Sequence, residues 1–275
     1  MSVATGLTPT LPWTLGLAAM LAYTAAAWPV AVKRRWPDLA LAIGWIAHGA
    51  ALWLDIAGYG AAEPGARFGF APALSATVWI VIAVHAIESR LLPLPAVRLL
   101  LAVSATLAVL LAALYPGESR PFAGSAGAAW LPLHWLLGVV SYGLFAVAVL
   151  HAWLLDGAER RLRTAGAPLA GAGGGGVPLL QLERLTFRFV EVGFVVLSVA
   201  IVLGVLLPER WRWDHKTVLS MLGWATFAVL IAGRHFRGWR GRRATRWVYA
   251  GALLLLLAYA GARFVIEVVL QRSAG

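Results

Sequence analysis

The 275-residue chain contains no cysteine. A disulfide framework and thiol redox chemistry are therefore excluded. Charge is scarce as well, at 13% of residues, against about 25% in a soluble globular domain, while hydrophobic residues fill 61% of positions. A chain of this composition belongs in lipid. Stretches apolar over the roughly 20 residues that a bilayer span needs occur at about residues 12–32, 39–58, 71–88, 97–115, 131–155, 188–207, 217–233 and 246–270. Lipid offers the backbone no hydrogen-bond partners, and these runs are too long and too continuous for barrel strands, so each predicts an α-helix. The expected fold class is all-α, a polytopic membrane protein of about eight transmembrane helices. No basic residue precedes the first stretch, LPWTLGLAAMLAYTAAAWPVAV, as one would in a signal peptide, so it reads as a retained helix.

Acidic residues number only 12 against 23 Lys and Arg. Their placement matters more than their sum, because cytoplasmic loops retain Lys and Arg during insertion. An outside N-terminus puts Lys33, Arg34, Arg35, Arg90, Arg98 and eleven further arginines on the inner side. Only Arg67, Arg120, Arg210, Arg212, Lys216 and Arg272 then lie outside, with Arg263 inside the last span. Both termini are expected outside. The basic balance is an insertion signal, and no nucleic-acid partner is expected. The inner loop at about 156–187 contains AGAGGGGVPLL, a glycine run that behaves as flexible coil. The chain reads as a single membrane domain over 1–275, with less specific spans over 1–129. No internal repeat marks it as an inverted-repeat transporter.

Ionisable groups inside spans are costly and are functional candidates by default. On this topology His134 and His215 form an outer pair, His85, His151 and His235 lie near inner helix ends, and His48 sits near mid-membrane in helix two. Neutral imidazole ligates haem iron and other transition metals, and histidines from two helices can clamp a macrocycle. The plain reading of each is a hydrogen-bonded interfacial side chain. No two histidines are three or four residues apart, so an H-E-x-x-H zinc site is not expected. Asp55, Glu88, Glu191, Arg263 and Glu267 also fall in spans, and Arg263 with Glu267 has the i, i+4 spacing of an ion pair. Most of the 14 tryptophans read as interfacial belt residues.

One cluster departs from that pattern. Pro208-Glu209-Arg210-Trp211-Arg212-Trp213-Asp214-His215-Lys216-Thr217 packs rings, cations and an imidazole into one outer segment. Aromatic rings there could stack on a porphyrin, and Arg210, Arg212 or Lys216 could pair with its propionates. A charged interfacial belt is the alternative.

At this cluster the sequence resembles the CcsA/CcmC/ResC-type cytochrome c assembly family, named for a tryptophan-rich "WWD" outer segment. HWLLGVVSYGLFAVAVLHAWLL is similar to the family's His-initiated helix, with Ser141-Tyr142 following. EVGFVVLSVAIVLG, from Glu191 to Gly204, resembles its GF-x-x-L helix. RWDHKTVLSMLGW stands where the family reads W-x-W-D-P-K-E-T-W, and GRHFRGWRGRRA resembles its inner His segment and G-W-(R/K)-G turn. The motifs keep the family's order over about residues 130–275.

The resemblance implies non-covalent, transient binding of b-type haem at outer and inner sites. His134 matches the first outer ligand and His235 the second inner one; His85 joins His235 as the inner receiver. His134, with Trp211, Trp213, Asp214, Arg210 and Arg212, would present haem outside. Gln271 stands where the family has its second outer histidine, and His215 where proline is usual, features similar to the shorter YpjD-like branch. The expected function is haem delivery or ligation in cytochrome c biogenesis, as a component of a haem lyase or haem-delivery system. Its setting would be the bacterial inner membrane. Its partners would be haem, apocytochrome c and other assembly membrane proteins. No catalytic acid, base or nucleophile is evident, so the chemistry would come from the cofactor and its orientation. The alternatives are a non-catalytic, transporter-associated membrane subunit that kept the fold, and a cytochrome b-like electron-transfer subunit.

Overall fold

A computed structural model describes residues 10–28, 36–59, 65–89, 95–121, 130–165, 179–206, 213–261 and 264. The described chain is built on eight α-helices, α1 Thr10–Ala27, α2 Trp36–Ile56, α3 Phe70–Glu88, α4 Pro95–Leu114, α5 Leu131–Ala165, α6 Leu179–Leu206, α7 His215–Arg237 and α8 Gly241–Leu256. The last continues as a π-helical turn, Leu257–Gly261. Seven of these helices are long and apolar enough to cross a membrane; α1 is apolar but shorter. Large side chains such as Leu21, Ile46, Val195 and Leu253 are half or more exposed. Such apolar exposure suits lipid rather than water. The protein is an all-α, multi-pass membrane protein.

The chain divides into two compact units, residues 1–128 with 263–275, and residues 129–262. In unit 1, α1 packs on α2 and α4, and α3 packs on α4. Helices α2 and α3 are joined by Trp45 and Trp79, whose rings stack 4.7 Å apart. Each indole N–H donates to the other residue's carbonyl, at 3.0 and 2.9 Å. A Cβ on Gly49 would stand 2.8 Å from the Trp79 ring nitrogen, so glycine is what lets the clasp close. Between the helices a small antiparallel ribbon pairs β1 Gly65–Phe68 with β2 Glu118–Pro121. Its strands are too short for a hydrophobic period to show.

In unit 2, α5 packs along α6 and against α8, and α7 packs on α8. Phe145 of α5 stacks on Phe227 of α7 with centroids 3.9 Å apart, over backbone left open by Gly193 and Gly251. The expected 156–187 loop is corrected at both ends, since α5 runs on to Ala165 and α6 begins at Leu179. Hydropathy marks where lipid ends, whereas DGAERRLRTA goes on as helix beyond it because its residues suit a helix in water. The glycine run lies in 166–178, outside the described residues. Polar groups at the inner helix ends are joined across helices: Glu183 pairs with Arg234 at 3.1 Å, and Asp156 accepts from the Thr245 and Tyr249 hydroxyls at 3.0 and 2.9 Å.

Candidate functional site

His134 enters unit 2 in the first turn of α5, where its backbone N–H meets the Trp130 carbonyl at 3.0 Å. Its half-buried ring crosses to α6, and Nδ1 lies 2.9 Å from the Ala200 carbonyl oxygen. A carbonyl can only accept, so the hydrogen is on Nδ1. In the neutral ring the lone pair is then on Nε2, which has no hydrogen-bond partner among the described residues. One helical turn beyond Ala200 stands Gly204. A Cβ there would come within 2.9 Å of the His134 Cε1, so the ring occupies space that only glycine leaves.

The start of α7 reaches the same region. Asp214 is its N-cap, in extended backbone, and accepts the Thr217 N–H on Oδ1 at 2.8 Å. Partial burial pushes its carboxyl upward, but the Thr217 hydrogen bonds and the Lys216 and His215 charges outweigh that and hold it below the usual carboxylate range. The Lys216 charge acts on the His134 ring, while its ammonium stands 5.4 Å from the centre of the Tyr259 ring. Tyr259 belongs to the π-helical turn and lies beside Tyr142, whose hydroxyl donates to the Leu255 carbonyl at 2.8 Å. Single π turns inside α-helices recur at functional sites. Helices α5 and α6 thus meet at the His134 imidazole, the Lys216 charge of α7 acts on it, and Tyr259 stands against Lys216 in turn.

Trp213 and His215 are both exposed at this end, and neither makes a hydrogen bond or ring contact with His134 among the described residues. Arg210, Trp211 and Arg212 lie outside the described residues, as do Gln271 and the Arg263–Glu267 pair. Of the inner candidates, His85 is buried on α3 in unit 1, whereas His235 is exposed at the end of α7 in unit 2, its ring edge-on to Phe236. His151, also in unit 2, is buried beside Phe189. His48 proves to be a core residue of unit 1. Its Nδ1 is 3.1 Å from the Tyr23 hydroxyl and its Nε2 is 2.7 Å from Ser75 Oγ, so both ring nitrogens are committed to protein.

Comparison with known proteins agrees with this architecture. The family described as Cytochrome C assembly protein matches residues 69–270, and the chain belongs to that family. It is a multi-pass protein of the inner membrane. Among curated relatives, it is 35% identical over 95 residues to "Inner membrane protein YpjD" of Escherichia coli (strain K12), covering 34% of this chain and 36% of that protein. It is 30% identical over 174 residues to "Cytochrome c biogenesis protein CcsA" of Synechococcus sp. (strain CC9311), covering 52% and 57%. A Prochlorococcus marinus (strain MIT 9515) protein of the same description is 30% identical over 90 residues, covering 31% and 29%. The matches thus span from under a third to just over half of the relatives' lengths. No solved structure matches.

Sequence reasoning missed Ala200, Tyr259 and the part played by Gly204. Gly204 was visible only as the last letter of a motif. A glycine in an apolar helix signals close approach, but which ring approaches is a tertiary fact.

Proposed function

We propose that the protein handles haem in cytochrome c biogenesis at the outer face of the inner membrane, with His134 Nε2 as an iron ligand. The tautomer of His134 carries this reading. A ligating histidine ordinarily donates its other ring N–H to a carbonyl or carboxylate, which fixes the ring and leaves the remaining nitrogen basic, and the Ala200 carbonyl does that here. Membership of the cytochrome c assembly family and likeness to proteins described as cytochrome c biogenesis proteins support it further.

The donor set fits a haem carried as cargo. Exposed Trp213 offers a ring face, and Lys216 offers a cation to a propionate. Asp214, by capping α7, positions both. Arg210, Trp211 and Arg212 adjoin them in sequence and are proposed to complete the cradle. His215, on the first turn of α7, is the proposed second ligand in place of Gln271. His235 of unit 2, with His151 as its buried substitute, and separately His85 of unit 1 are proposed as inner haem-receiving residues. With no cysteine in the chain, the thiols needed to attach haem covalently would come from an apocytochrome partner.

The test is an absorption spectrum of the purified protein titrated with haem. A Soret shift is expected for wild type, and it should be lost in His134→Ala. In His134→Gly it should return with added imidazole, which a purely structural role would not allow. His134→Ala and His215→Ala should be strongly non-additive, because both act through one iron. An unchanged spectrum in His134→Ala would overturn the outer site.

A further inference from the structure

Unit 1 holds a cavity of about 490 Å³ that the haem reading does not use. It lies among α1, α2, α3 and α4 toward the ends that the Lys/Arg count places outside. Its walls are apolar, with Leu17, Met20, Leu52 and Val109 among them. The volume is within the range of small-molecule sites. Polar groups occur at two levels, and each level restricts what fits.

The deeper level is the Tyr23–His48–Ser75 chain, of which His48 and Ser75 line the cavity and are each 1% exposed. A neutral imidazole and two hydroxyls carry three hydrogens, but the chain makes two hydrogen bonds. One hydroxyl hydrogen is left over. If Nε2–H donates to Ser75, that hydrogen is on Ser75 and points to an acceptor other than His48. If Ser75 donates to Nε2 instead, the surplus hydrogen falls on Tyr23, which is fully buried and has no further partner among the described residues. The first arrangement costs less, since an unmatched buried hydroxyl is unfavourable. It leaves Ser75 as a donor facing the cavity.

The upper level is Asp55 of α2 and Arg67 of β1, paired at 3.2 Å. Seven residues of helix separate Asp55 from His48, about 10 Å along the axis. The two charges neutralise one another. Among the described lining residues no unpaired cation is therefore available for an anionic ligand, which disfavours a haem with its propionates.

We infer that this cavity binds a neutral amphipathic molecule, an apolar body bearing one alcohol or carbonyl oxygen that accepts a hydrogen bond from Ser75, entering from the outer leaflet. The inference stands on unit 1 alone and is independent of the outer haem site.

A neutral long-chain alcohol carrying an aliphatic diazirine tests it, photolysed with the full chain in lipid nanodiscs and mapped by peptide mass spectrometry. Saturable labelling of Met20, Leu52 or Val109 is expected. Unlabelled alcohol should displace it, and the matching carboxylate should do so at least about tenfold less well, because a buried unpaired charge is costly. Ser75→Ala should weaken competition by about fivefold, the worth of one hydrogen bond. Ala112→Phe, or Ala51→Phe should the first fail to fold, should abolish the labelling. Non-saturable labelling shared with lipid-facing Leu21 and Ile46, or labelling indifferent to the filling variants, would show bulk lipid contact only and overturn the site. Equal competition by the carboxylate would overturn the assignment of a neutral ligand.

Discussion

Replacing Gly204 by alanine adds one methyl group and tests the outer site at its tightest point. The new Cβ would lie 2.9 Å from His134 Cε1 and 3.4 Å from its Nδ1. Carbon atoms rest about 3.5–4.0 Å apart, so the ring must withdraw by roughly half an ångström or more. Withdrawal strains the 2.9 Å bond to the Ala200 carbonyl. Its loss removes about 0.5–1.5 kcal/mol, and an off-rotamer ring costs about as much again. The sum, about 1–3 kcal/mol, predicts haem affinity weaker by about 5- to 150-fold. Alanine also favours helix over glycine by up to about 1 kcal/mol. Folding stability should therefore fall by up to about 1 kcal/mol less than binding does, and that divergence is the signature. Haem titration followed at the Soret band, beside thermal unfolding of the same samples, reads both. Gly138→Ala is the matched control on α5, since a Cβ there meets nothing within 4 Å and binding should be unchanged. If Gly204→Ala binds haem within about twofold of wild type while His134→Ala abolishes binding, the carbonyl-held ring is not what makes the ligand.

Asp214→Ala should destabilise α7 by about 1 kcal/mol through loss of its N-cap, measurable by thermal melting. Because the Asp214 carboxyl is held below its usual range, its contribution should be complete above the unfolded value of about 3.9. It should fade as the pH falls through the lower folded value. Gly233→Ala would press a Cβ to 2.5 Å from two atoms of the buried Trp239 ring; a loss of about 1–3 kcal/mol is expected, with a shift in tryptophan emission. A chain without cysteine accepts single probes directly, so an impermeant maleimide on intact cells should label Trp213→Cys and spare Arg240→Cys. The reverse result would invert the topology.

The spans were legible because a bilayer demands about 20 apolar residues in a row, and a run of that length is a local property. The helical ends of α5 and α6 were not. Asp156 to Ala165 is helix, but its charged sequence scores in hydropathy like any polar loop. Of the site, His134 could be singled out through its motif and its depth, and Asp214 and Lys216 through their cluster. Their surroundings could not, since Ala200 lies 66 residues from His134 and Tyr259, in a π-helical turn, stands against Lys216 from far along the chain.

His48 and His134 show what separates an intramembrane histidine that supports the fold from one that can serve a ligand. Both sit in apolar helices, and in the sequence each has the same claim to function. Lipid supplies no partner for a ring nitrogen, so each nitrogen must be satisfied by protein, water or cargo. At His48 two hydroxyls, from α1 and α3, take both nitrogens, and the imidazole becomes a bridge between helices. At His134 a backbone carbonyl takes one, and because a carbonyl can only accept, it also dictates which nitrogen keeps its lone pair. Each hydroxyl at His48 can donate or accept, so either tautomer can be bonded there, whereas the Ala200 carbonyl admits only one. A fixed lone pair on a half-buried ring within reach of the Lys216 charge is what the proposed iron ligand requires and a bridging histidine does not.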